Sequence, residues 1–509
     1  MKKDQTMRGL ARAAASALLL TLLAACSLEP TYKRPDAATP TAFKEAPAAD
    51  AKDAGTWKTA EPAEAAQRGE WWKIFNDPML DDLEHQAADA NQDLKAAAAR
   101  VQQSRALVRN ARSDWFPTID GGFGPTRQRL SPASQFLPPD ANVPAQTLWR
   151  AQATASYEVD LFGRVSSNVH AAQADAEQSE ALFRSVQLAL QADVAQNYFQ
   201  LREFDTQVDL FRRTVALRED SLKLVQRRFS EGEISELDLS RAKNELATAR
   251  ADAVGVARQR ATSEHSLAIL LGKAPADFSF PATPLVPVTA RVPAGLPSVL
   301  LERRPDIAAA ERAAAAANAR VGLAKSAYFP KLDITAAGGF EAGTLADLFH
   351  WSSRAFLLGP FAGTALTVPI FDGGRRRAGV EQARGKFDED VAQYRQQVLQ
   401  AFREVEDNLS DLRLLDDQIQ QENDAVNASQ RSAHLSTTQY QEGQIAYLDV
   451  IDAERQVLQT QLQASQLTGV QAVATVNLIR ALGGGWGDMK ADNANAVGMN
   501  GGTQEVAKQ

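Results

Sequence analysis

From Trp149 to Leu161 the chain reads WRAQATASYEVDL, with an apolar residue at every odd position and a polar one at every even position. Strict alternation of this length predicts a β-strand with one apolar and one polar face. The polar row is Arg150, Gln152, Thr154, Ser156, Glu158 and Asp160. Three more segments read as strands: about Phe116 to Arg127, Lys331 to Phe340 and Phe361 to Phe371.

Most of the remaining chain carries a helical period. Between Arg164 and Phe229 there is neither proline nor glycine, and apolar residues recur in steps of three and four, as at Val186, Leu190, Val194, Tyr198 and Leu201. That spacing predicts a helix with a coiled-coil-like seam, about 100 Å long at the usual rise per residue. A second such helix is predicted over 374–440, with Val391, Tyr394, Val398, Phe402 and Val405 on its seam. Each ends near a glycine, Gly232 or Gly443, as a left-handed C-terminal cap requires. Shorter helices follow over 236–270 and 447–481, and another is expected over Pro78 to Arg112. Laid end to end, Pro78 to Arg112 and 236–270 equal one long helix in length. An elongated coiled-coil spacer would have the same helices, but not strand hairpins set between them.

The order of elements repeats. FSEGEISELDL (from Phe229) returns as YQEGQIAYLDV (from Tyr440) at a spacing of 211 residues, and WFPTIDGGF (from Trp115) as YFPKLDITAAGGF (from Tyr328). Two halves, 76–272 and 298–486, therefore share one plan of helix, strand, loop, strand, long helix, glycine turn and helix. The segment 273–297 between them holds six prolines and reads as a linker. Residues 487–509 form a polar tail.

Composition narrows the class. The 509 residues are 44% hydrophobic and 23% charged, too polar for a multi-helix membrane protein, and no run after the N-terminus reaches the length of a spanning helix. The only cysteine, Cys26, leaves no internal disulfide framework. Histidines at metal-ligand spacing, GxSxG and P-loop signatures are all missing, so neither enzyme, metal nor cofactor chemistry is expected. The first 25 residues join a basic stretch to a short apolar run and read as a signal peptide. The peptide ends in LAAC, which resembles a lipobox and makes Cys26 the candidate lipidated N-terminus; Ser27 rather than Asp implies passage to the outer membrane. Without residues 1–25, which hold four basic residues and one acidic, the formal charge of -8 becomes -11. That balance speaks against nucleic-acid binding.

The strands explain the helices' company. A tilted strand of about 9 to 11 residues crosses a bilayer, with apolar side chains toward lipid and polar ones toward a lumen. Four strands cannot close, and open edges are not tolerated in hydrocarbon. Several chains must share one barrel, and three copies would supply twelve strands. The alternative for the alternation is a soluble sandwich covered by the helices.

Together the lipobox, YKRP, GEWWKIFNDPMLDDL, YEVDLFGR, ERRPDIAAAE, YFPKLDI and VPIFDGGRR resemble the outer-membrane factors of tripartite efflux systems, in the lipoprotein branch related to OprM and more distantly to TolC. The resemblance runs from Cys26 to about Trp486. It implies a mainly α fold with a membrane β-barrel: a homotrimer with a twelve-stranded outer-membrane barrel, four strands per chain, and a helical barrel in the periplasm. An equatorial collar would include the lipid-anchored segment 26–75 and the proline-rich linker. Implied partners are a periplasmic adaptor protein, an inner-membrane RND-type transporter and outer-membrane lipid. The implied function is passive export of small molecules; the alternatives are a duct for type I protein secretion, or a non-conducting structural or adhesive trimer. Sites follow residue by residue. Ser230, Gly232, Gln441 and Gly443 mark helix tips that would meet the adaptor. Asp449 and Asp452 match the aspartates that ring the periplasmic aperture of TolC, and Tyr440 matches a tyrosine of its closing network. Ile445 stands where that network has an arginine, which leaves the closing interaction open. An aspartate in a first helical turn is also favoured by the helix dipole.

Overall fold

The computed structural model describes residues 28–45, 69–288, 300–301, 303–358 and 366–484. Cys26, the stretches 46–68, 289–299 and 359–365, and the tail 487–509 lie outside them. In chain order the elements are α1 (Pro78–Ala90), α2 (Gln92–Ser113), β1 (Thr118–Gln128), β2 (Gln146–Val159), α3 (Arg164–Ser230), α4 (Glu236–Leu270), α5 (Pro305–Ser326), β3 (Lys331–Ala342), β4 (Arg354–Leu358), β5 (Leu366–Thr367), α6 (Arg375–Gln441) and α7 (Tyr447–Ala481). The long helices have 67 residues each and the following helices 35 each. All four boundaries of α3 and α4 recur in α6 and α7 at the offset of 211. No helix among the described residues is long and apolar enough to cross a membrane.

The repeat extends to single hydrogen bonds. At the first tip Gly232 (φ 77°) turns the chain, and the Glu233 amide donates to the Arg228 carbonyl at 2.9 Å. At the second, Gly443 (φ 74°) does so, and the Gln444 amide donates to the Gln439 carbonyl at 2.9 Å. This bond, six residues back to one, is the Schellman C-cap, and the left-handed residue inside it is why glycine stands there.

Two expectations need correction. The helix expected over Pro78 to Arg112 is two helices, broken at Asn91. The Asn91 side chain accepts from the Leu94 amide at 3.0 Å and donates to the Leu270 carbonyl at 2.9 Å, so it caps α2 while satisfying the end of α4. The strand expected over Phe361 to Phe371 lies outside the described residues up to 365; within them Leu366–Thr367 is strand, 368–371 are not, and a further strand stands earlier, at Arg354–Leu358. Beyond Thr367 the chain leaves the ladder: Pro369 has no amide to donate, and Asp372 accepts from the amides of Gly374 and Arg376 to start α6.

The sheet runs β1-β2-β3-β4, every pair antiparallel, with β5 also on β3. The strands of the two halves thus meet through β2 and β3. Gly339 of β3 lies against β2 so closely that a Cβ would sit 2.1 Å from the Ala151 carbonyl oxygen.

By internal contacts the chain divides into two units. The first (1–36, 100–180, 309–394) holds the sheet. In it the extended segment from Glu29 is laced to helices: Asn318 donates to the Pro30 carbonyl at 2.7 Å, the Tyr32 hydroxyl donates to Glu311 at 2.6 Å, and His170 pairs with Glu29 at 2.8 Å. Gly322 gives this segment room, since a Cβ there would lie 2.7 Å from the Glu29 Cα.

The second unit (37–99, 181–308, 395–509) has an apolar core that includes Trp71, Trp72, Leu80, Leu83, Leu201, Leu267 and Ile479. Over 278–288 the linker forms no sheet, and helix side chains take up its backbone groups. Arg202 and Arg260 donate to the carbonyls of Pro281 and Phe280, while Asp205, Thr206 and Glu264 accept from the amides of Thr283, Leu285 and Phe280. Asp205, 1% exposed, is held by Arg260 at 2.6 Å. A buried carboxylate so placed is paired and fully bonded, as its desolvation demands.

Candidate functional site: strands, helix tips and a buried ion cluster

Strand register sorts the sheet's side chains onto two faces. On one, Phe123, Ala151 and Phe340 stand in one row, as do Ile119, Ala155 and Ala336, with Tyr157 beside Ile334. This face is uncovered: Ile119 is 73% exposed, Phe123 65% and Phe356 79%. The other face carries Arg150, Gln152, Thr154, Ser156 and Glu158. Arg150 pairs across the register with Glu341 at 2.7 Å, and Lys331 joins Glu158 at 3.1 Å. Asp160 lies past the strand's end and is not part of this row. Its carboxylate accepts from the amides of Val165 and Ser166, at 3.1 and 2.8 Å, and starts α3. Among the described residues, nothing pairs with the outer edge of β1 or of β4.

At the tips, Ser230 and Gln441 are the exposed last residues of α3 and α6, and Gly232 and Gly443 are exposed in the turns. Tyr440 does not join the two aspartates. It is buried with Val225, Ala242, Tyr447, Val450 and Ile451, and Ile445 packs against the same cluster. The Tyr440 and Tyr447 rings lie 5.4 Å apart, and the Arg228 guanidinium stands 5.0 Å from the Tyr440 ring. Among the described residues neither hydroxyl has a hydrogen-bond partner within 3.5 Å. Burial first, and then the nearby Glu454, push the Tyr447 hydroxyl up to about 12.

Asp449 accepts from the Ala446 amide at 3.1 Å and so caps α7. Asp238, its counterpart in the first half, stands at the same point of α4, where its carboxylate accepts from the Ser235 hydroxyl and its amide donates to the Ser235 side-chain oxygen, so that Ser235 is the cap. Asp452 is 62% exposed and faces Arg455 at 3.5 Å. Arg455 also binds Glu245 of α4, and Arg218 of α3 binds Glu454 of α7 with both side chains buried. Arg218 lies 3.8 Å from Glu245 as well.

These four residues, Arg218, Glu245, Glu454 and Arg455, were not among the candidates read from the sequence. One signal was present: Arg218 falls between Val215 and Leu222 on the apolar seam of α3, where a charge needs a partner. The sequence alone does not reveal that partner, which lies 236 residues away.

A family profile described as "Outer membrane efflux protein" matches residues 83–273 and 296–484. The chain is 36% identical over 482 residues to the toluene efflux pump outer membrane protein TtgF of Pseudomonas putida, covering 94% of this chain and 98% of that one. It is 34% identical over 485 residues to outer membrane protein OprJ of Pseudomonas aeruginosa, covering 92% and 95%. Among solved structures it is similar to the outer-membrane channel OprN, with a TM-score of 0.79 at 29% identity over 91% of this chain and 100% of that one. It is similar also to the open state of the Neisseria gonorrhoeae MtrE outer membrane channel, with a TM-score of 0.76 at 28% identity over 90% and 98%. With its long paired helices and its open-edged sheet, the chain belongs to the outer membrane efflux protein family and has the fold of the TolC-like outer-membrane channels.

Proposed function

We propose that this chain is the outer-membrane exit duct of a tripartite efflux pump and conducts small molecules passively from the periplasm to the exterior. The observation that carries the reading is the sheet. Among the described residues it leaves two strand edges unpaired and an apolar face bare, which suits lipid only if further copies close the ring. Three chains then share a twelve-stranded barrel, lined by the row from Arg150 to Glu158. A periplasmic adaptor meets the tips around Ser230, Gly232, Gln441 and Gly443, and an inner-membrane RND-type transporter supplies the substrate. Asp449 and Asp452 constrict the periplasmic end.

Cys26 carries lipid in this reading. Support comes from Glu29, which packs against Gly322, four residues before α5 ends and the chain enters β3. An unmodified Cys26 in the mass spectrum of the mature protein removes the anchor. Bulky replacements of Ser230 and Gln441 that leave efflux unchanged remove the docking role.

The deciding experiment is single-channel recording of the purified protein in a planar bilayer. Discrete conductance steps from a trimer are expected; a trimer that inserts without conducting is a scaffold, and the duct reading fails.

A further inference from the structure

The described strands carry four basic and four acidic residues, and the register sorts them unequally. Asp120, Glu158, Asp333 and Glu341 all fall on the polar face, together with Arg150 and Lys331. Both cations there are paired, Arg150 with Glu341 and Lys331 with Glu158 and Asp333. The bare apolar face has no strand carboxylate among the described residues. Its only strand charges are Arg127, four residues beyond Phe123 on β1, and Arg354 of β4, directly opposite Phe340. Arg127 is exposed, and among the described residues neither arginine is in an ion pair. The Arg354 Nε donates to the Trp351 carbonyl at 2.9 Å, with the guanidinium over the Trp351 ring.

Both arginines stand at the end of the sheet away from the helices. Strand β1 leaves α2 and strand β3 leaves α5 at the opposite end, so the turns over 129–145 and 343–353 mark the exterior end of a sheet in the outer membrane. The two also share a height. At the turn end the sheet reaches Gln146 of β2 beside β1, whereas Arg354 stands in line with Phe340 and Ala151; at the helix end it starts at Ser156 beside β1 and at Val159 beside β3. Both edges step in one direction, as those of a tilted strand array do. Phe123 and Trp149, with rings 6.0 Å apart, lie beside them on the same face. Aromatic rings at this level mark a membrane–water interface, where an arginine on a lipid-facing strand is far less costly than at the midplane.

In the proposed trimer, on which this inference rests, the edge strand β4 of one chain adjoins the edge strand β1 of the next. Arg354 of one chain and Arg127 of its neighbour then stand on adjoining strands, about 5 Å apart in the backbone. Two guanidinium forks side by side, with no carboxylate to neutralise them, suit a phosphate group. We infer that each boundary between chains holds one outer-leaflet lipid with a phosphorylated headgroup. Its phosphate is gripped by Arg354 and Arg127, and its acyl chains lie along the apolar rows below. Arginines that only reach for water have no need to share a height on the two edge strands, nor to avoid every acid of the sheet.

Native mass spectrometry of the purified trimer tests this, in a mild detergent with EDTA so that no divalent cation bridges phosphate to protein. Bis-phosphorylated lipid A is the probe, with its dephosphorylated form and phosphatidylethanolamine as controls. Up to three molecules of lipid A should stay on each trimer, in clear excess over both controls. Arg127→Gln and Arg354→Gln should each weaken binding about tenfold, the size of one charge-assisted hydrogen bond, and the double variant should bind no better than the controls. Arg150→Gln, which removes a cation from the opposite face, should leave the occupancy unchanged. Arg354→Gln also frees the turn at Trp351, so Arg127→Gln, which breaks no contact within the chain, is the decisive variant. Equal binding by the parent and Arg127→Gln overturns the inference, and so does equal retention of phosphorylated and dephosphorylated lipid A. A preparation with no three-chain species, in detergent or in membranes, removes the proposed trimer and the lipid site with it.

Discussion

Glu84 of α1 is 1% exposed, and among the described residues neither of its carboxylate oxygens has a hydrogen-bond partner. Burial first, and then the neighbouring Asp81 carboxylate, push its pKa up to about 9. The folded chain therefore holds a neutral acid where the unfolded chain, near 4.5, has lost its proton. Below the unfolded value both states are protonated and no penalty arises. As pH rises from there toward the folded value, stability is lost, by roughly 3 kcal/mol per chain at neutral pH. Glu84→Gln keeps the shape of the neutral acid and removes the titration. Its thermal midpoint should exceed the parent's at pH 8 and match it near pH 4.5. Glu203 and Glu454, also raised by burial, keep some slope in the variant. Equal midpoints at both pH values would mean that Glu84 is ionised in the folded protein and solvated by water. A second residue-scale constraint is Gly469 in the middle of α7, where a Cβ would lie 2.6 Å from the Glu203 side chain. A glycine there costs about 1 kcal/mol in helix propensity, and the position of Glu203 explains its presence.

At the scale of elements, what could be read from the sequence depended on how local the deciding interactions are. The bounds of α4 and α7 follow from glycine caps and a helical period, both of which act within a turn or two. The break at Asn91 was hidden because Asn91 closes α4 through the Leu270 carbonyl, 179 residues away. Asp160 continues the polar alternation of β2 by type, yet it caps a helix, since an aspartate two residues before Phe162-Gly163 serves either role until the strand's end is known. The last strand was expected to run on to Phe371 because 368–371 are apolar enough for a strand, but Pro369 cannot serve a ladder and the described strand ends at Thr367. The two faces of β2 were readable because the period of two fixes every side chain once the register is set. That register makes a strong prediction. Tyr157→Arg puts a charge on the bare apolar face, at a cost of about 2 to 4 kcal/mol near the middle of a bilayer. Ser156→Arg points to the opposite face beside Glu158 and should be tolerated. Trimer yield in membranes and resistance of the trimer to detergent report both. Equal damage from the two substitutions means that the bare face does not meet lipid.

At the scale of the whole molecule, two copies of one plan have been put to unequal use, and the proposed gate is where the inequality is sharpest. Asp449 has a counterpart, Asp238, and each carboxylate takes part in the start of the helix that follows a tip turn, Asp449 by accepting from the Ala446 amide and Asp238 by holding the capping Ser235 hydroxyl. That shared task accounts for the pair without any gate. Asp452 has Arg241 as its counterpart and caps nothing. It is 62% exposed, with Arg455 at 3.5 Å beside it. If three chains bring these residues to a common axis, six carboxylates form a negative ring that favours cations and binds multivalent ones. The Asp449 carboxylate is tied down by its bond to the Ala446 amide, whereas Asp452 is exposed and, although Arg455 at 3.5 Å offsets part of its charge, is left open to a cation from solvent. Asp452→Asn should therefore relieve block by a trivalent cation, applied from the periplasmic side, more than Asp449→Asn does. The double variant should relieve it most, and all three should remain trimers. The difference from the parent should shrink as salt is raised, because screening weakens a field that reaches into an aqueous pore. Block in the double variant that equals the parent's at every salt concentration places both aspartates away from the aperture. Asp449 is then a helix cap only, and Asp452 an exposed partner of Arg455.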